Sequence, residues 1–444
     1  MAEKIYLVSL GCPKNLIDSE VMLGYLHING YQISQSAEQA DILLINTCGF
    51  IQSAVEESIE EILRLARFKE DNPGKLLVVS GCLVQRYGAE LSRELPEVDI
   101  FIGTDGFQNI IRELADRKPA GRTIALKPHY IMNSSTPRLI STPAHRAYLK
   151  ISEGCQNSCA FCLIPGLRGP LRSRLVDDIV REAQQLESRG VKELTLVAQD
   201  LTAYGLDLGR NYPDLTMLVE KILAGCTIPW LRLLYLYPSR LSTALLQLMA
   251  AEPRLLPYLD IPLQHVSPTV LKAMNRPFGP AHIHDVIDNI RAIIPQAAIR
   301  TTLMVGFPGE TENDVQQLEK FLEDKQLDHV GIFTYANEEG CAAAGLSGQC
   351  REEVKEERRQ RLMTLQADIS LKKQLKMIGK IEQVLVEGIS DETDLLLEGR
   401  TRFQAPEIDG RVYITHGRCN AGDLVKVQIA EAFAYDLAGE IIEN

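Results

Sequence analysis

No stretch of this chain reaches 18 uninterrupted apolar residues, which argues against a membrane-spanning helix. The first residues, MAEKIYLVSLGCPKN, lack a basic n-region, an apolar h-region and a small-residue cleavage site, so no secretory leader is expected. Clustered positive charge is also missing. The 47 Lys and Arg stand against 59 Asp and Glu, a formal charge of −12, which disfavours a general nucleic-acid binder and suits a basic protein partner. There is no internal repeat and no low-complexity tract. A cytoplasmic monomer is therefore expected. In that compartment the ten cysteines read as metal ligands or core residues rather than a disulfide framework.

What is present is enough apolar material for several cores: 45% of 444 residues. In the first third, apolar runs at IYLVSLGC (5–12), DILLINTCGF (41–50) and KLLVVSGC (75–82) alternate with helical patterns at 19–27 and 54–69. That alternation predicts a parallel-sheet α/β domain over residues 1–118. Residues 119–140, rich in Pro, Ser and Thr, read as a linker or connecting hairpin. From 141 to 350 come six strand candidates: AYLKIS, ELTLVA, LRLLYLY, YLDIP, IRTTLMVG and HVGIFTY. Helical patterns near 176–189, 215–225, 241–251, 281–294 and 311–325 separate them. Six units are fewer than the eight of a closed TIM barrel, so an open, partial (β/α)6 TIM-like barrel is expected, with chemistry at its C-terminal mouth. Residues 351–378 form a charge-laced helical connector. Short strands separated by Gly and Asp then predict a small β-barrel over 379–444.

The densest chemical signal is EGCQNSCAFCLIPGLRG (153–169), where Cys155, Cys159 and Cys162 follow a C-x3-C-x2-C spacing at the end of the first barrel strand. No fourth Cys or His follows at a zinc-finger distance. Three thiolates can anchor a four-iron cluster by three irons and leave the fourth open, while a zinc loop remains the alternative. With Phe161 before the last cysteine, the loop resembles the radical S-adenosylmethionine (SAM) superfamily. The resemblance implies that SAM chelates the open iron and is cleaved to methionine and a 5′-deoxyadenosyl radical.

Cys12, Cys48 and Cys82 each end an apolar run: LVSLGC, LLINTC and LVVSGC. Strand ends of a parallel sheet share one edge, so these thiols are predicted to converge, with Gly11, Gly49 and Gly81 beside them allowing close approach. Three buried core cysteines are the alternative. Together with the 155/159/162 loop, this plan resembles the methylthiotransferases along nearly the whole chain. The resemblance implies two [4Fe–4S] clusters, SAM, a sulfur donor and an electron donor, with the chemistry carried by clusters and SAM rather than by a catalytic side chain.

Within that family, SLGCPKNLIDSE (9–20), TLVAQDLTAYG (195–205), YLDIPLQH (258–265), RTTLMVGFPGET (300–311) and GIFTYANEEG (331–340) resemble the branch that acts on an aspartate β-carbon of small-subunit ribosomal protein twelve. A branch acting on adenosine of transfer RNA shares the cysteine plan, and a non-catalytic zinc-binding, ribosome-associated protein is a further alternative. The C-terminal module resembles a TRAM domain, often an RNA-binding barrel. Here residues 380–444 carry six Lys and Arg against thirteen Asp and Glu, a formal −7, which disfavours direct RNA binding.

Other candidate contacts follow from position. The Gly-Gly-Glu that the superfamily often uses for the methionine amine is absent, and Gln199-Asp200 stands there, making Gln199 the candidate. Phe161 is a candidate for packing near the adenine, and Gly306 for close approach of SAM. Arg168 and Arg174 are candidates for an anionic group of SAM or substrate. His265 reads as a core histidine, and Cys226, Cys341, Cys350 and Cys419 lack ligand spacing.

Overall fold

The protein is described by a computed structural model covering residues 2–116, 121–276 and 278–442. Its first unit runs β1 (Lys4–Ser9), α1 (Pro13–Ile28), β2 (Gln32–Ile33), β3 (Ile42–Thr47), α2 (Gln52–Asp71), β4 (Leu76–Gly81), α3 (Cys82–Glu94), β5 (Ile100–Ile102), α4 (Ile110–Ala115) and β6 (Arg122–Ile124). The strands form one parallel sheet in the order β2-β1-β3-β4-β5-β6. Every residue of β3, ILLINT, is buried, as a central strand covered on both faces requires.

Two differences from the sequence reading stand out. Residues 122–124 fall in the stretch expected to be a linker, yet they pair in parallel with β5, from Ile100↔Arg122 to Ile102↔Ile124. Three residues give no periodicity, so only the neighbouring strand defines them. Positions 119 and 120 of that stretch lie outside the described residues. The other difference is α1, which starts at Pro13, well before residue 19, because its polar first turns are buried against the second unit.

That second unit comprises β7 (Arg146–Lys150), β8 (Ser152–Glu153), α5 (Ile164–Arg168), β9 (Arg172–Ser173), α6 (Val176–Ser188), β10 (Glu193–Val197), α7 (Leu215–Gly225), β11 (Trp230–Leu233), α8 (Thr243–Ala251), β12 (Leu255–Asp260), α9 (Pro268–Ala273), α10 (Pro280–Ile293), β13 (Ala298–Val305), α11 (Glu312–Lys325) and β14 (His329–Thr334). Six of these strands form a parallel sheet in the order β14-β13-β12-β11-β10-β7, an open (β/α)6 partial barrel as expected. The short β8 and β9 pair separately and antiparallel, flanking the cysteine loop.

The long α12 (Glu352–Gln374) buries Leu362, Gln366 and Ile369. Among the described residues no helix is long and apolar enough to cross a membrane. A closed barrel follows, with β15 (Ile381–Ile389), β16 (Leu397–Thr401), β17 (Val412–His416), β18 (Leu424–Ala432) and β19 (Leu437–Ile441) in the order β15-β16-β17-β19-β18. Val384, Val386, Val412, Ile414, Val427 and Ile429 fill it at alternating positions.

The small barrel caps the bottom of the large one. Tyr258 Oη donates to Asp409 (2.7 Å), Arg146 pairs with Glu407 (3.0 Å), and Arg400 reaches Glu193 (2.6 Å). Arg146 and Glu193 open β7 and β10, so these contacts occupy the N-terminal ends of the strands and leave the C-terminal mouth for chemistry.

Candidate cluster and SAM site

The first cysteine trio is assembled by turns at strand ends. Gly11, at φ +90°, lets the chain leave β1 so close to β3 that an added Cβ would lie 3.0 Å from Cys48 Cβ and 3.3 Å from its Sγ. An added Cβ on Gly49 would lie 2.7 Å from Leu83 Cα and 2.9 Å from the Cys82 carbonyl carbon. Neither glycine tolerates a side chain, and the two approaches bring Cys12, Cys48 and Cys82 to one sheet edge. Asn15 Nδ2 ties the edge together by donating to the carbonyls of Leu10 (2.6 Å) and Thr47 (3.4 Å).

The second trio sits in the loop between β8 and α5. Gly154, at φ +78°, starts it where an added Cβ would be 2.1 Å from the Pro170 carbonyl oxygen. Backbone N–H groups of Asn157 and Ile164 point at the sulfurs of Cys155 (3.4 Å) and Cys162 (3.5 Å), and Arg276 Nη1 points at Cys159 Sγ (3.5 Å). Arg276 is itself stacked on Tyr237 (4.6 Å) and Phe278 (5.2 Å). Asn157 donates to Asp200 (2.8 Å), which also pairs with Arg240, fixing the loop to the end of β10.

Donors aimed at sulfur suit thiolates. Burial pushes the Cys82 thiol up to about 11 and that of Cys162 up to about 12, so these sulfurs keep their protons at neutral pH unless a bound metal displaces them. Burial would raise Cys12 as well, but the charges of Lys14 and Arg168 outweigh it and hold that thiol below its ordinary value. Among the described residues no three His, Cys, Asp or Glu side chains surround a single metal ion. A cluster makes a different demand, since each thiolate binds its own iron. Three soft sulfurs with hydrogen-bond donors and an arginine at each trio fit an iron–sulfur cluster at both places.

A buried charge network joins the two trios. Arg168, at the end of α5, reaches Asp18 (2.5 Å), Asn15 (3.0 Å) and Cys82 Sγ (3.4 Å) in the first unit and Glu153 (3.6 Å) in the second. Lys150 bridges the same carboxylates, Asp18 at 2.5 Å and Glu153 at 2.8 Å. Glu153 also accepts from Gln199 Nε2 (2.6 Å).

The remaining sequence candidates divide. Gln199 lies in this network, and its Oε1 is buried without a hydrogen-bond partner among the described residues, an open acceptor suited to an ammonium. Phe161 packs half-buried with Ala160, Met304 and Phe307 at the mouth. Arg174 is corrected: its guanidinium is committed to Asp178 (2.7 Å), Glu182 (2.6 Å) and the Lys150 carbonyl (2.8 Å), so it braces α6 rather than offering a free fork. Gly306 is closed on one side. Its side-chain direction is filled by Lys355, 2.2 Å from an added Cβ, so the glycine admits α12 rather than a ligand on that side. His265 is a core residue whose Nδ1 accepts from Ser267 N (2.9 Å). Cys341 is buried near the loop and adds to the rise of the Cys162 thiol, after burial and the neighbouring thiols Cys159 and Cys155.

Sequence reasoning missed Lys14, Asp18, Lys150, Glu153 and Arg276. Their signal is charge inside otherwise apolar or cysteine-bearing segments, which a fold-level reading assigns to solvent.

Residues 4–103 match the family described as Uncharacterized protein family UPF0004, residues 149–322 the Radical SAM superfamily and residues 378–442 the TRAM domain. In overall fold the chain resembles the radical SAM methyltransferase TsrM from Kitasatospora setae, solved with tryptophan and a SAM analogue (TM-score 0.54, 14% identity, 74% of this chain and 73% of that one). TsrM solved with cobalamin and a [4Fe-4S] cluster gives a TM-score of 0.53 over 75% and 72%, at 14% identity. Curated relatives match from end to end. The ribosomal protein uS12 methylthiotransferase RimO of Desulfotalea psychrophila is 51% identical over 442 residues, covering 99% of each chain, and that of Geobacter sulfurreducens is 48% identical over 443 residues, again 99% of each. At that identity along its full length, the chain belongs to the RimO family of radical SAM methylthiotransferases.

Proposed function

We propose that this chain is a two-cluster enzyme that adds a methylthio group to the β-carbon of an aspartate in ribosomal protein uS12. The observation that carries the reading is the pair of cysteine trios at facing edges of two units, joined through Arg168 between Cys82 and Glu153. When bound, the two clusters and SAM supply what no side chain can: a radical able to take hydrogen from an unactivated carbon, and a sulfur to put in its place.

This chain's own residues would hold and orient those groups. Cys155, Cys159 and Cys162 would bind one cluster, with Arg276 and the loop N–H groups compensating its negative charge. Gln199 Oε1 would accept from the SAM ammonium, and Phe161 would pack beside the adenine. Cys12, Cys48 and Cys82 would bind the second cluster, with Arg168 on its inner side. The C-terminal barrel, at a formal −7 over 380–444, suits a Lys- and Arg-rich protein better than RNA phosphates. A sulfur donor and an electron donor complete the cycle.

Anaerobic reconstitution followed by incubation with SAM, a reductant, a sulfide source and, in parallel, isolated uS12 or bulk transfer RNA tests the reading. The expected result is a methylthio mass gain on one aspartate. A gain on transfer RNA instead, or tightly bound zinc with no SAM cleavage, refutes it.

A further inference from the structure

The lysine two residues past Cys12 is unusual among the buried cations. Lys75 donates to the carbonyls of Ala37, Glu38 and Ala40; Lys150 pairs with Asp18 and Glu153; Lys355 pairs with Glu352 and the Tyr335 carbonyl. Lys14 is buried too, at 8% exposure, but its neighbours are the Tyr235 phenol and the Cys12 thiol, and among the described residues no carboxylate or carbonyl is recorded against its ammonium. It stands 3.5 Å over the ring of Tyr235. Tyr235 follows β11 at the barrel mouth with φ 65°, a conformation that costs a non-glycine residue free energy, and Asp260 and the Leu201 N–H hold its backbone there. The ammonium therefore stands where the edge carrying Cys12 meets the mouth of the partial barrel.

Apart from the Tyr235 phenol and the Cys12 thiol, whose charge a bound metal would share, no anion among the described residues faces this ammonium, and a buried cation so placed is costly unless a further anion joins it. We propose that Lys14, backed by Tyr235, forms the subsite for the side-chain carboxylate of the substrate aspartate. This rests on the aspartate reading of the function. The carbon that reacts is bonded directly to that carboxylate, so whatever holds the carboxylate also positions the C–H bond between the two trios. The same charge separates aspartate from asparagine, whose amide leaves the ammonium without its counter-ion.

The test uses the full-length, cluster-loaded enzyme and isolated uS12, with the modified aspartate first located by mass spectrometry and then replaced by asparagine. Wild-type enzyme is expected to bind the asparagine protein about 30-fold more weakly or worse, and equal binding overturns the proposal. Lys14→Met is expected to raise KM for uS12 by a similar factor and to treat the two proteins alike, while Lys14→Arg recovers part of the preference. If the lysine serves only to balance cluster charge, Lys14→Met shifts the midpoint potential of the cluster and leaves the aspartate preference intact; that outcome overturns the subsite. Absence of any methylthio transfer to uS12 by wild-type enzyme counts against the function itself, whereas normal transfer with an unaltered preference in Lys14→Met counts against the subsite alone.

Discussion

Arg168 Nη2 stands 3.4 Å from Cys82 Sγ, and the same guanidinium pairs with Asp18 at 2.5 Å. A cation hydrogen-bonded to a ligand sulfur stabilises the more negative, reduced state of a cluster. Arg168→Gln is therefore expected to shift the potential of the cluster proposed at Cys12, Cys48 and Cys82 to more negative values, read by potentiometric titration with electron paramagnetic resonance. It also leaves Lys150 as the one cation facing Asp18 and Glu153 among the described residues, at a cost of up to about 3–5 kcal/mol. Arg168→Lys keeps the charge without the planar fork, so its potential should stay nearer to wild type than its stability does.

The two trios are expected to load independently, since each is built by its own turns. Replacing Cys12, Cys48 and Cys82 together by alanine should lower iron from about eight to about four per chain, following from the four-iron cluster proposed at each trio. The variant should still release 5′-deoxyadenosine from SAM and transfer no sulfur. Cys159→Ala should abolish the release of 5′-deoxyadenosine.

Much of this site is legible in the sequence because strand-end cysteines and a close C-x3-C-x2-C spacing are local patterns. The six barrel strands are equally plain, apolar runs with five helical patterns between them. What stays hidden is set by long-range pairing. The first turns of α1 read as polar surface, yet Asn15, Asp18 and Glu20 are buried because Arg168, Lys150 and Arg138, more than a hundred positions away, come to meet them. Strand β19 escapes for a related reason: its parallel pairing with β17, which helps close the small barrel, is a property of the assembled sheet and not of LAGEI.

Gln199 supplies an acceptor that finds no partner among the described residues while its Nε2 stays on Glu153. Gln199→Ala is expected to weaken SAM binding by about tenfold, in line with about 1.5 kcal/mol for one hydrogen bond to a charged group. Equilibrium binding of SAM to the reconstituted enzyme measures it. Gln199→Glu should bind at least as tightly as wild type if its carboxylate faces the ammonium, and more weakly if repulsion from Glu153 dominates.

Acid should release the C-terminal barrel from the bottom of the large one, and Glu193 is the reason. Burial by itself would raise its pKa, but Arg400 and Arg232 outweigh that and hold it down to about 2, against an ordinary 4.5. A carboxylate depressed on folding contributes its full stability above the unfolded value and loses it as pH falls through the folded one. The contribution, about 3 kcal/mol from a shift of this size, is thus complete above pH 4.5 and fades towards pH 2. The single tryptophan is well placed to report it. Trp230 is buried at the start of β11 and its indole N–H donates to Gln383 of β15 (3.3 Å), across the same junction. Urea unfolding followed by Trp230 fluorescence should show a midpoint that drops between pH 5 and pH 3. Glu193→Gln should start lower, because Arg232 and Arg400 lose their shared carboxylate, and its midpoint should vary less over that interval.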